Sequence, residues 1–313
     1  MTMGTDQRSR PVVVAVDGSD RSTGAVRYAI NEARIRRSGV HMVHVVPAPL
    51  PENGLWPAQA GDITYLERAG RWAVTREVTT ARSAAPELEI EPVLALGPRV
   101  AQLVAAGAAG GLLVLGRETR HGFERLVARA TTAEVTARAQ VPVAVVPAGW
   151  RDGGHDRIVV GIKTFASAGE LLTRALSVAS CRHATVRVVH AVEVADLAAD
   201  LGTVDSSAGE SVTEATRLLE MVVHDWSVVY PGVAVETSVV LGRPDEVLVA
   251  AAADADLLMV ARHHRGLGHI ARLGRTPRAI LGVCDTPVEV VPLRWRTSGV
   301  PIVLESDGEI LTT

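Results

Sequence analysis

Cysteine is almost missing from this chain. Only Cys181 and Cys284 occur in 313 residues, neither with a second thiol at Cys-x-x-Cys spacing, which excludes a disulfide scaffold. Aromatic residues make up 3% of the chain, so its core must be filled by Ala, Val and Leu, which supply most of the 47% hydrophobic share. An excess of one charge is missing as well: the formal net charge is -3 with acids and bases interspersed. No broad basic field is available to neutralise a nucleic acid backbone. A long apolar run is absent too, because the most apolar segment, Val100 to Gly116, is broken by Gly107, Gly110 and Gly111, and MTMGTDQRSR carries no apolar core after its charges. The expectation is a soluble cytoplasmic protein with no membrane partner.

Familiar enzyme signatures are missing in the same way. There is no G-x-x-x-x-G-K-[ST] phosphate cradle, no G-x-S-x-G elbow and no Ser-His-Asp arrangement. Gly266 to Ala271 matches G-x-G-x-x-A, but it follows a fourth strand after four intervening residues instead of closing a first βα turn. His263, His264 and His269 have no acidic or thiol partner at ligand spacing, so a solvated loop is the preferred reading over a metal site.

What is there is a repeat. Val141-Pro-Val-Ala-Val-Val-Pro147 returns as Thr286-Pro-Val-Glu-Val-Val-Pro292, a period of 145 from Pro142 to Pro287. The same offset carries Gly97 to Gly242; one residue more carries His44 to His190 and Val16 to Ile162. Two homologous domains follow, residues 10–148 and 157–293, joined by the Gly-rich, charged linker 149–156 and followed by a tail, 294–313. Residues Val300 to Leu304 of that tail could add one more strand.

Each half alternates short β-branched runs with segments of helical spacing. In the first, strands are expected at Val12–Val16, Val40–Val46, Leu88–Leu96, Leu112–Leu115 and Val143–Val146, with helices at Asp20–Arg37, Asp62–Ser83, Arg99–Ala109 and Thr131–Ala139. In the second, strands are expected at Arg157–Ile162, Thr185–Val192, Val233–Leu241, Leu257–Val260 and Val288–Val291. Continuously apolar strands belong to a parallel sheet covered on both faces. The fold class is α/β, two tandem doubly wound domains of about five strands each.

In an open α/β sheet, ligands bind outside the carboxyl ends of strands where the winding reverses. After strand 1 stand Asp17, Gly18 and Ser19. Ser19 or Asp20 can cap the following helix, whereas Asp17 stands too early to cap and could accept from an amino or hydroxyl group. After strand 4 stand Gly116 and Arg117, with Gly122 permitting a turn, and Thr131 and Thr132 read either as a helix cap or as part of a phosphate site.

Val-Ala-Val-Asp-Gly-Ser at residues 14–19, Val-His-Val-Val at 43–46, Leu-Leu-Val-Leu-Gly at 112–116 and Val-Pro-Val-Ala-Val-Val-Pro at 141–147 resemble, in that order, the universal stress protein family. The resemblance covers nearly the whole chain, once per half. It implies an adenine nucleotide alpha hydrolase-like fold with a five-stranded parallel sheet of order 3-2-1-4-5 and, in many members, ATP held between strands 1 and 4. Carried over, the first half keeps Asp17, Val45 and Gly116, and departs at Thr119, Arg129 and Ala130, where the pattern has Gly, Gly and Ser or Thr. Arg129 could fill the space of a phosphate or pair with it. The second half has Lys163 for the Asp, Ala191 for the Val, and Ala261 and His264 for glycines, while Ser167 and Glu170 form a capping box.

The functional expectation is a stress-response protein, not an enzyme, that binds ATP, with Mg²⁺ accompanying it, in the first domain only. The alternatives are a nucleotide-free scaffold acting through dimerisation and, less favoured, a slow ATP hydrolase drawing on Asp17 and Glu118. Strand 5 of each half is a short, proline-bounded edge, expected to pair the halves and to support a homodimer.

Overall fold

In the computed structural model, residues 10–19, 22–47, 60–117, 123–193, 204–262 and 273–293 are described. The first half runs β1 (Val12–Ala15), α1 (Thr23–Arg36), β2 (Val40–Val46), α2 (Ala60–Ala84), β3 (Ile90–Leu96), α3 (Arg99–Ala109), β4 (Leu112–Arg117), α4 (Phe123–Arg138) and β5 (Val143–Pro147). The second half runs β6 (Arg157–Ile162), α5 (Ala168–Arg182), β7 (Thr185–Val192), α6 (Val204–Val229), β8 (Val235–Leu241), α7 (Pro244–Ala251), β9 (Leu257–Arg262), α8 (Arg275–Val283) and β10 (Val288–Pro292).

The strands form one sheet in the order β3-β2-β1-β4-β5-β10-β9-β6-β7-β8. Each half therefore winds 3-2-1-4-5, as the resemblance implied. Alternation along a strand explains the near-continuous apolar runs: Val12 and Val14 feed the core under α1 and α2, while Val13, between them, feeds the core on the opposite face.

The two sheets fuse through one antiparallel contact. Val288 faces Val145, Glu289 faces Ala144 and Val290 faces Val143. Adding the repeat offset of 145 to Ala144 gives Glu289, so each half meets its own counterpart about a pseudo-two-fold axis. Both strand-5 edges are consumed by this pairing. The homodimer expected through them is thereby denied that route, because a β-strand has two sides and each is already bonded.

Beside the axis, six side chains bury a charged cluster. Glu32 of α1 accepts from Arg36 Nε at 2.8 Å and from Arg182 Nη2, which also donates to Tyr28 Oη at 3.2 Å. Arg174 donates through Nε and Nη2 to the two oxygens of Glu289, at 2.8 and 3.3 Å. Glu289 is 0% exposed and fits because its neighbour across the ladder is the small Ala144. Burial alone would raise the Glu32 carboxyl, but the charges of Arg182 and Arg36 outweigh it and hold the group at about 2. Burial pushes the Tyr28 hydroxyl well above its ordinary range, so it remains a neutral donor and acceptor.

The axis also relates two arginine clasps. Arg117, the last residue of β4, donates to Cys284 O and to Asp285 Oδ1 at 3.2 Å. Its counterpart Arg262 donates to Ala137 O at 2.6 Å and to Ala139 O. Ala139 and Cys284 are themselves 145 apart, so each arginine closes on the carbonyl just past the final helix of the other half. A cation is favoured there by the exposed carbonyls of a helix end.

Several boundaries differ from expectation for identifiable reasons. Helix α1 begins at Thr23, and its cap position, Ser22, turns its hydroxyl back to Ser19 O at 2.9 Å instead of capping. Ser19 stands three residues before that cap position and gives its hydroxyl to Asp17; Asp20 lies outside the described residues. Helix α4 begins at Phe123, eight residues before Thr131, because Phe-Glu-Arg-Leu-Val-Ala-Arg-Ala contains no breaker. The Thr131-Thr132 pair looked like a start signal but lies inside the helix, where Thr132 O accepts from Thr136 Oγ1 at 2.7 Å. The capping box at Ser167 does not form: its hydroxyl meets Thr164 Oγ1 at 2.5 Å and makes no cap to α5.

Two outcomes test this packing. A Cβ added to Gly24 would sit 2.1 Å from Pro147 O and 2.8 Å from Ala148 O, both backbone atoms at the end of β5. Gly24→Ala is expected to cost about 1–3 kcal/mol in urea unfolding, and an unchanged midpoint would contradict the close approach of α1 to β5. Glu32→Gln leaves two buried guanidiniums facing a neutral amide and is expected to cost about 3–5 kcal/mol at pH 7. Because the folded carboxyl is depressed from 4.5 to about 2, its contribution is complete above about pH 4.5 and is lost as pH falls towards 2. Wild-type stability should fall across that window with a steeper slope than the variant shows; parallel pH profiles would remove the assignment.

Candidate functional site

The site follows from strand length. Strand β1 pairs with β2 from Val12↔Val40 to Ala15↔Val43 and with β4 from Val12↔Leu112 to Val14↔Val114. Its last ladder bond is the Val16 N–H to Val43 O, at 2.9 Å. Both neighbours continue, β2 to Val46 and β4 to Arg117. A notch results at the carboxyl end of β1, with Val45 two residues beyond the last rung on the side facing β1 and Gly116 on the β4 wall.

Asp17 stands exposed at the mouth of this notch, where its Oδ1 accepts the Ser19 N–H at 3.0 Å and the Ser19 hydroxyl at 2.6 Å. That short loop orients the carboxylate. Gly18 has φ of +80°, a conformation open to glycine. Its carbonyl accepts from Arg76 Nη2 at 3.0 Å, and a Cβ on it would lie 3.3 Å from Ala73 Cβ, so α2 backs the turn. Arg76 in turn lies over the Trp72 ring, 5.2 Å from its centroid.

A histidine closes the floor of each notch. His44 Nδ1 lies 3.0 Å from Val16 O, and His190 Nδ1 lies 2.9 Å from Ile162 O. A carbonyl only accepts, so Nδ1 carries the proton in both rings. The repeat marked His44 and His190 as counterparts, yet their latch to the end of strand 1 was not deduced from it. Arg76 was missed as well, since nothing in its local pattern separates it from other surface arginines of α2.

The halves diverge above this shared floor. Lys163 is exposed where Asp17 stands in the first half, and Phe165, counterpart of Ser19, lies against His190 with ring centroids 4.8 Å apart. The mouth of the second notch is thus covered by an aromatic ring. Its strand 1 counterpart also runs further, with β6 paired to β7 through Ile162↔His190.

Of the residues singled out from sequence, Asp17, Gly18, Ser19, Val45 and Gly116 come together at the first notch. Arg117 adjoins Gly116, but its guanidinium reaches into the other half. Thr131 and Thr132 lie within α4, on its third turn. The backbone of Arg129 belongs to the same helix, while its side chain, Gly122, Glu118 and the three loop histidines lie outside the described residues. Among the described residues no cluster of three His, Cys, Asp or Glu side chains could hold a metal, and no helix is long and apolar enough to cross a membrane. A groove of about 470 Å³ lies between β7, β8 and α7. Its arginines are engaged by carboxylates, Arg187 by Glu236 at 3.6 Å and Arg243 by Asp245 at 3.0 Å, so it is a poor cradle for an anion.

Comparison with known proteins agrees with the repeat and the fold. The sequence model of the universal stress protein family matches residues 8–147 and again residues 154–292. The universal stress protein Rv2005c of Mycobacterium tuberculosis is 31% identical over 308 residues, covering 92% of this chain and 99% of that protein. Rv1996 of the same organism, also named a universal stress protein, is 26% identical over 312 residues, covering 92% of this chain and 96% of its own. Among solved structures, a universal stress protein from Archaeoglobus fulgidus superposes with a TM-score of 0.66 at 14% identity, over 91% of this chain and 98% of that chain, a likeness of fold alone. Matched twice in tandem and across almost its full length, the chain belongs to the universal stress protein family.

Proposed function

We propose that the chain is a stress-response protein that binds an adenine nucleotide, ATP, at the notch of its first domain, residues 10–148, and acts through occupancy instead of catalysis. The observation that carries this reading is the divergence of two notches built on the same floor. The first presents an oriented, exposed carboxylate; the second presents Lys163 and a phenylalanine against its histidine. An acceptor at Asp17 suits an amino or hydroxyl group of a nucleoside, whereas the ammonium of Lys163 only donates. Val45 and Gly116 flank the same space. The second domain, residues 157–293, then serves as structural partner to the first.

The adenosine end of this site is better supported than the phosphate end, where Arg117 is turned away and Thr131 and Thr132 are inside α4. That placement favours, as second reading, a nucleotide-free scaffold. Mg²⁺ would enter only with the triphosphate.

The readings separate in one experiment. ATP at about 100 times its Kd should stabilise the fold by about 2.7 kcal/mol, visible as a rise in Tm. Asp17→Ala should abolish that rise and Lys163→Ala should preserve it. No rise at millimolar ATP, together with no nucleotide released from the denatured purified protein, would leave the scaffold reading standing; the opposite mutant pattern would move the ligand to the second domain.

A further inference from the structure

The two arginine clasps are counterparts in sequence but differ in the contacts they make, and the difference falls at the candidate site. Arg262 is buried and closes on two backbone carbonyls, Ala137 O and Ala139 O. Arg117 has among its contacts the Cys284 carbonyl and the carboxylate of Asp285, whose side chain is 96% exposed. Solvent screens that second contact, so it adds little. Arg117 also directly follows Gly116 in the wall of the notch, whereas Arg262 follows Ala261.

A polyphosphate at Gly116 would present more charge than a carbonyl and a solvated carboxylate, in a geometry that a planar guanidinium matches. We propose that Arg117 is an exchangeable clasp: polyphosphate in the first-domain notch draws its guanidinium from Cys284 and Asp285 and loosens that end of the joint between the halves. This rests on the nucleotide reading above and adds a regulation to it. Ligand state is thereby written into the second half at residues 284 and 285, while Arg262 keeps the other end of the joint closed. By reciprocity, whatever weakens the clasp from the second half must tighten the nucleotide by the same factor.

Cys284 reports the clasp, because it is buried beside the carbonyl that Arg117 holds, and Cys181 serves as internal reference in peptide mapping after thiol labelling. Saturating ATP should accelerate labelling of Cys284 relative to Cys181, and adenosine, which lacks phosphate, should not. Asp285→Asn, a substitution at an exposed position, should tighten ATP by about twofold and lose that effect in an Arg117→Ala background. A Tm rise with ATP but an unchanged Cys284 rate overturns the clasp and leaves the nucleotide reading intact. An Asp285→Asn effect that persists without Arg117 reduces it to plain charge and overturns it too. No binding of ATP removes both.

Discussion

Three rungs of antiparallel ladder between β5 and β10 govern the rest of this molecule. They join each half to its own counterpart, so every feature near the axis is met by a related feature from the other side. The pairing satisfies the backbone groups of two edges that would otherwise be exposed. It also brings α1 against α5, and that contact traps Glu32, Arg36, Arg174, Arg182 and Tyr28 out of water, with Glu289 of β10 beneath them. Charges so placed disfavour other pairings, because a mispaired edge would leave them buried and uncompensated.

The two halves, related by that joint, agree at the floor of the notch and differ at its mouth. Both halves carry the histidine latch on the end of strand 1, His44 on Val16 O and His190 on Ile162 O. The second half has Lys163 and Phe165 where the first has Asp17 and Ser19, and its sheet winds in the same order. The first half carries the acid, its serine partner and the glycine at positive φ together at the mouth of its notch.

Much of the fold was legible because its signals are local and repeated. Strands β2, β6 and β7 and helix α3 have the bounds expected from apolar runs and helical spacing. The register of the β5–β10 joint was less accessible, but its existence was foreshadowed by proline-bounded strands occurring twice. The start of α4 was misjudged because Thr131 and Thr132 carry a cap's composition without its position, and only the preceding turns reveal that the helix is already under way. At the site, Asp17 and Gly116 could be picked out as polar or flexible residues at strand ends. The roles of Arg117, Arg262 and Phe165 could not, because each depends on a residue more than twenty positions away that only the folded chain brings near.

Strands within a half are parallel, while the halves meet antiparallel, so the carboxyl ends of one half lie level with the amino ends of the other. This is why nine residues suffice to lead from Pro147 to the start of β6 without crossing the sheet. It also gives the protein two unlike poles. One carries the open notch, the connecting segment and the Cys284-Asp285 turn; the other carries the mouth lined by Phe165. A macromolecule approaching the open pole meets chain from both repeats at once, a composite epitope that neither repeat could display by itself.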